Sequence, residues 1–480
     1  MAVAAPSPLA VTPAAPYRLR WVVAAVVLAA NLMDILDSTI VNVAGPSVRH
    51  SLGGSANSIQ WLSAGYTLAF AVLLIAGARM GDILGRRRLF LVGSAGFTIF
   101  SAACAVAPDM GVLIAFRVLQ GGFGALLIPQ GFGLMKEVFD DQGEFDKATG
   151  LFGPVTGLAM LGAPLLAGVL VDANLWGTGW RLCFLINIPI GVFSWALALR
   201  SLPRGASHPG VRLDLGGVAL IGLALVAIIY PLIQGQSDGW PAWTFVVIAL
   251  GVLLGWAFLR HERRVGGGDP LIVPTLLTNR DYLSGVAVLL ALFGAFGGLL
   301  LCISLYGQLG EGWSPIRAGL ALTPMVIGLT IGMVTSQALV KRFGRHVLHA
   351  GVFLVGAGAA GIALVLVGGH AATVWDLVPG LAVTGVGLGA TLGQLFSFIL
   401  TSVTMDEVGS ASGVMEAVQQ LSTALGVAVF GTIFFSSFRP AVAPHALEVT
   451  AWSCLAPLAV AFALVFRMPM RVRADVPAAA

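Results

Sequence analysis

Residues 21–45 read WVVAAVVLAANLMDILDSTIVNVAG, a run in which only Asp34 and Asp37 carry charge. A helix rises 1.5 Å per residue, so a run of this length crosses a hydrocarbon core of about 30 Å. No polar stripe recurs at the 3.6-residue period that a helix on the surface of a soluble domain would show. The stretch therefore belongs in a bilayer. An ionisable side chain in the middle of a span costs roughly 2.5–3.5 kcal/mol on insertion scales, so each of the two acids needs a reason to be there. They stand at i and i+3 and share one helix face.

The rest of the chain repeats the pattern. Of its 480 residues, 58% are hydrophobic and 10% charged, against about 25% charged in soluble domains. Apolar windows predict helices at 21–45, 58–78, 88–107, 111–135, 147–171, 181–199, 214–233, 241–259, 283–306, 318–339, 347–367, 374–402, 410–436 and 450–466. The expected fold class is an all-α membrane protein with fourteen transmembrane helices. Sixty-two glycines suit helices that approach closely in lipid. Pro231 and Pro241 make the boundaries within 214–259 the hardest to place.

The net charge of +4 reflects topology, and no nucleic-acid partner is expected. With both termini cytoplasmic, 21 of the 26 Lys and Arg fall on the inner side, four (Arg49, Arg181, Arg317, Arg439) fall outside, and Arg117 lies within a span. The positive-inside rule selects this orientation in a cell (inner) membrane. Residues 1–16 lack the charged start of a signal peptide and read as a disordered cytoplasmic tail. Cys104, Cys183, Cys302 and Cys454 lie in or beside apolar runs without CxxC spacing, so no metal or disulfide framework is expected. Two basic, glycine-containing turns, Gly85-Arg86-Arg87-Arg88 and Lys341-Arg342-Phe343-Gly344-Arg345-His346, occupy equivalent places and suggest two related halves. The expected divisions are a tail at 1–16, a first bundle at 17–200, two additional helices within 201–270, a second bundle at 271–470 and a tail at 471–480.

Several segments resemble the major facilitator superfamily, specifically its fourteen-helix drug:proton antiporter branch. Leu36-Asp37-Ser38-Thr39-Ile40-Val41-Asn42-Val43-Ala44-Gly45-Pro46 is similar to the first-helix motif, and Ala78 to Leu89 to the loop motif after the second helix. Arg117, Gln120, Gly121 and Pro129 resemble the fourth-helix motif, and Gly157 with Gly162 to Gly168, including Pro164, the antiporter motif of the fifth. Trp180-Arg181 with Asn187 and Pro189, and Trp313-Ser314-Pro315 with Gly319, match further family segments. The resemblance implies two pseudo-symmetric six-helix bundles plus two central helices. It also implies a monomer that exports small amphipathic or cationic compounds (drugs, dyes, antibiotic-like metabolites) in exchange for protons by alternating access. The alternative is a proton-coupled transporter of one metabolite or lipid.

Candidate mechanistic residues follow from depth. Asp37 lies roughly 13 Å and Arg117 roughly 9 Å from the outer face at 1.5 Å per residue, so the two are expected to meet. Arg117 snorkelling to the outer headgroups is the other reading. Asp37, Asp34 and Arg117 are the expected proton-coupling set, and the resemblance favours Asp37 as the carrier. Asp37 bonding backbone locally, and Asp34 attracting a cationic cargo, are the other roles open. Gln120, Glu416, Gln420, Gln394, Tyr66, Trp61 and Tyr306 are candidate pocket residues, although such aromatics more often pack or anchor at the interface. Glu416 reads either as a second acidic locus or as an intracellular gate residue. Asp82 ends the second helix against the macrodipole. It is expected either to latch onto the free N–H groups of the helix beginning near Gly409, or to lie solvated among Arg86, Arg87 and Arg88. Gly85, Arg86 and Pro164 complete the expected gating residues.

There is no cofactor expectation beyond a proton gradient. None of the three lysines sits in a phosphate-binding loop and no histidine lies deep within a span. An enzyme or sensor is disfavoured because no nucleophile–base pair appears in the spans.

Overall fold

In the computed structural model, residues 17–139, 141–204, 213–264, 271–369, 371–404, 407–439 and 442–471 are described. The expected tail at 1–16 and most of the one at 471–480 lie outside them. Helices occupy all fourteen expected segments: α1 Arg20–Leu52, α2 Ala56–Leu84, α3 Arg86–Ala105, α4 Met110–Val138, α5 Phe152–Ala173, α6 Gly179–Ser201, α7 Leu215–Ser237, α8 Ala242–Arg264, α9 Arg280–Gly310, α10 Pro315–Phe343, α11 His346–Leu366, α12 Val374–Leu400, α13 Val408–Ser437 and α14 Ala443–Val465. Among the described residues, twelve of them are long and apolar enough to cross a membrane by themselves. The other two are α2, which qualifies only when the bent parts Ala56–Leu74 and Ala76–Leu84 are joined, and α5, whose apolar stretch Gly162–Ala173 is short.

The ends are set locally. Asp109 accepts from the Val112 N–H at 2.9 Å and starts α4; Asp214 does the same for Gly217 and starts α7. Thr373 and Asp376 form a reciprocal capping box on α12. The two basic turns share a device: Gly85 (φ 91°) separates α2 from α3, and Gly344 (φ 55°) separates α10 from α11. A positive φ favours glycine, which has no Cβ to clash.

Glycines also set how closely helices pack. A side chain at Gly385 or Gly389 of α12 would strike the Met325 or Leu329 carbonyl of α10, and one at Gly426 of α13 would strike the Gly294 carbonyl of α9. These backbones touch, as expected where lipid removes the hydrophobic drive between helices and van der Waals contact must hold them.

The two halves meet most tightly at the end poor in arginine. There the Gln308 side chain donates to the Val43 carbonyl (2.9 Å), and Asp172 accepts from the Ile316 N–H (3.0 Å). Gly319 of α10 lies on the Pro164 carbonyl of α5, and Gln60 of α2 lies against Gly431 of α13. The α7–α8 pair joins the same seam: Asn57 donates to Ser237 (2.9 Å) and Thr432 to the Leu232 carbonyl (2.7 Å). At the arginine-rich end Arg20 bonds Glu144, Arg87 the Leu199 carbonyl and Asn279 the Ser402 carbonyl, each within its own half.

Candidate functional site

The site begins with α4. Arg117 is a charge that a span cannot leave unpaired. One turn on, Gly121 lets the α4 backbone press on the Tyr66 carbonyl of α2, and Gly124 leaves room for the Phe70 ring and the Tyr66 hydroxyl. Arg117 and Gly121 share a helix face, so this close approach delivers the guanidinium into the space between α1, α2, α4 and α6.

Arg117 is fully buried there and ion-pairs with Asp37, itself 1% exposed. Arg117 Nη1 donates to Asp37 Oδ2 and, at 2.9 Å, to Gln120 Oε1; its Nε donates to the Leu62 carbonyl at 3.1 Å. Asp37 Oδ1 accepts from Gln120 Nε2 (3.0 Å) and from Asn187 Nδ2 (2.8 Å). Asn187 is held in turn by Ser101 Oγ at 3.1 Å, which donates to the Phe184 carbonyl at 2.9 Å. Three donors around one carboxylate offset the desolvation that makes a buried ion pair costly.

Asp34 lies on the same face of α1 but outside that shell. The Tyr66 hydroxyl donates to its Oδ1. The Tyr66 ring meanwhile lies under Arg117, whose Cζ is 4.3 Å from the ring centroid. Glu416 of α13 approaches from the other half, within electrostatic reach of Asp34. It is half-buried, and its neighbour Ala417 packs among apolar residues of the first half. Gln420 lies one turn further along α13 and is also half-buried.

The expected meeting of Arg117 with Asp37 is thus present, and Arg117 does not snorkel to the headgroups. Tyr66 joins the site through its hydroxyl. Gln120 is placed fully buried as a partner of Asp37 and Arg117. Gln394 is placed against Ser336 (3.3 Å) inside the second bundle. The Tyr306 hydroxyl clamps the Ala372 backbone by accepting from its N–H (2.9 Å) and donating to its carbonyl (3.3 Å). Trp61 turns toward Tyr230 of α7, with ring centroids 5.9 Å apart. Asp82 pairs with Arg86 at 3.0 Å, and Arg86 also reaches Glu137 at 3.6 Å. The pairing with Arg86 matches the second of the two expectations for Asp82. Gly409 lies in α13, but its surroundings fall outside the described residues.

Asn187 and Ser101 were not singled out by the sequence as site residues. Their signal was there: an amide and a hydroxyl inside apolar runs, each needing a buried partner. Outside the membrane-spanning segments, Glu407 is held below its usual range by the Thr275 hydroxyl and the Thr404 N–H. That fixes the turn before α13.

Residues 27–427 match the Major Facilitator Superfamily. The chain belongs to this family. Over 427 residues it is 48% identical to the probable actinorhodin transporter of Streptomyces coelicolor, covering 88% of this chain and 73% of that protein. It is 36% identical to the puromycin resistance protein pur8 of Streptomyces alboniger, covering 89% and 84%. It is 31% identical to the tetracenomycin C resistance and export protein of Streptomyces glaucescens, covering 90% and 79%. Among solved structures it resembles an auto-inhibited POT family peptide transporter (TM-score 0.66, 14% identity, covering 95% and 99% of the two chains). It also resembles a bacterial homologue of the lysosomal transporter Spinster in an inward-facing, unoccupied conformation (0.65, 15%, 94% and 97%). These two likenesses show the major facilitator fold. The protein is a multi-pass membrane transporter of small molecules rather than an enzyme.

Proposed function

We propose that this major facilitator chain is a proton-coupled antiporter that exports small amphipathic or cationic compounds, antibiotic-like metabolites among them, by alternating access. The names of its relatives, which concern actinorhodin, puromycin resistance and tetracenomycin C export, support the cargo class. Fourteen spans, cytoplasmic termini and a monomer in the cell membrane complete the reading. With that orientation, the arginine-poor end, where Gln308 and Asp172 join the halves, is the outside.

The observation that carries the mechanism is the division of labour among three acids. Asp37 has three side-chain donors, one of them the buried cation Arg117. It serves as the counter-ion of Arg117 within the first half. Asp34 and Glu416 come from opposite halves, within electrostatic reach and with fewer partners, and they are the exchangeable pair. A cationic cargo entering between them favours loss of their protons, and protons arriving from outside displace the cargo.

Exchange would be tested on purified full-length protein in detergent. Addition of lipophilic cations such as ethidium should release protons from the wild type, and Asp34→Asn should release none. Absence of release across a panel of such cations, together with unaltered susceptibility of cells expressing the protein, would remove the antiport reading and leave a narrower transporter.

A further inference from the structure

Tyr66 touches both charge systems, and neither role is explained by packing alone. Its hydroxyl donates to Asp34, while the face of its ring supports Arg117. The residue is fully buried. Its ring is fixed by Phe97, edge-on at 6.4 Å, and by Phe70 at 6.0 Å. From α4, Gly121 packs on its backbone carbonyl and Gly124 lies beside its hydroxyl. The hydroxyl therefore has little freedom to leave Asp34. Arg117 Nη2 has no protein hydrogen-bond partner among the described residues. A guanidinium with a donor to spare, within electrostatic reach of a second carboxylate, would be expected to share itself between Asp37 and Asp34. Tyr66 stands where that sharing would occur.

We propose that Tyr66 is a positioning residue that sets the proton affinity of Asp34 through its hydroxyl and keeps Arg117 committed to Asp37 through its ring. The inference rests on the reading of Asp34 as an exchangeable acid. The charged and titratable groups facing Asp34 are Tyr66 on α2, Arg117 on α4, Asp37 on its own helix and Glu416 on α13. Of these, Tyr66 is the one hydrogen-bonded to it. A donor to a carboxylate favours the charged form, so removing it favours the protonated form. A hydrogen bond to a charged group is worth roughly 1.5–3 kcal/mol, and one pH unit corresponds to about 1.4 kcal/mol. The expected effect is therefore at least tenfold in proton affinity.

The test is an infrared pH titration of the carboxyl band of full-length protein, assigned to Asp34 by its loss in Asp34→Asn. In Tyr66→Phe, which keeps the ring under Arg117, the midpoint should rise by about one unit. With 3-fluorotyrosine placed at position 66, whose more acidic hydroxyl donates more strongly, it should fall. A thermal unfolding curve for each form verifies folding, and a purely structural role would not move the midpoint in opposite directions. If Asp34 titrates in the wild type and the fluorotyrosine protein but with one common midpoint, the role of Tyr66 is overturned while the antiport reading stands. If Asp34 does not titrate in the wild type, both fall together.

Discussion

The two halves share a fold but not a chemistry. In the first, α1, α2, α4 and α6 enclose Asp37, Arg117, Gln120, Asn187 and Tyr66, all at most 1% exposed, with Asp34 at their edge. In the second, the buried polar side chains are mostly hydroxyls, several of them bonded within their own helix, as Thr384 is to the Gly380 carbonyl and Thr391 to that of Gly387. Glu416 is its acid at the interface. The difference suggests that one half holds the charges while the other supplies an adaptable wall.

The largest effect expected from this contrast is in the first half. Arg117→Met leaves the Asp37 carboxylate buried without its cation, which costs about 3–5 kcal/mol. The thermal unfolding temperature should drop steeply, whereas Gln394→Leu in the second half should leave it almost unchanged. Equal losses would erase the contrast.

The second half depends on shape, so a packing change should injure it most. Gly426→Ala pushes a methyl into the Gly294 carbonyl, and overpacking of this kind costs about 1–3 kcal/mol. Unfolding should show it, with proton binding at Asp34 unaltered.

The seam between the halves gives a smaller effect. Gln60 is fully buried, and neither atom of its amide has a protein partner among the described residues. An unpaired buried polar group costs roughly 1–3 kcal/mol, so Gln60→Leu should favour the sealed conformation. Labelling of a cysteine placed at Ser58 by a membrane-impermeant thiol reagent should slow severalfold.

The smallest effect is at the surface. Glu407 is held below its usual range, so its contribution to stability is present above the unfolded-state value and fades as pH falls through the lower folded-state value. Glu407→Gln should flatten the acid limb of the stability–pH curve slightly and leave neutral pH nearly untouched.

Much of this was legible in the chain. Run length and arginine asymmetry place the helices, and counting rises along α1 and α4 brings Arg117 to the depth of Asp37. Depth is only one coordinate, however. Which helices are neighbours, and which way a side chain turns around its axis, depend on packing that no local pattern encodes. Gln120 therefore turned out to be sealed, and Tyr306 and Trp61 turned away from the centre. For the same reason Asn187 could be matched to a family segment yet not assigned to Asp37. The two basic turns show the opposite case: a positive φ at Gly85 and Gly344 is a local requirement, and the sequence states it directly.

In the proposed antiport, Asp34 is the acid that exchanges protons with the cargo. Protons released per bound ethidium, measured by a pH-indicator dye in weakly buffered detergent solution, test it most directly. Release should vanish in Asp34→Asn with folding intact. It should persist in the charge-neutral double variant Asp37→Asn, Arg117→Gln, which removes the fixed pair without orphaning either member. Undiminished release from Asp34→Asn, or its loss only in the double variant, would contradict the account.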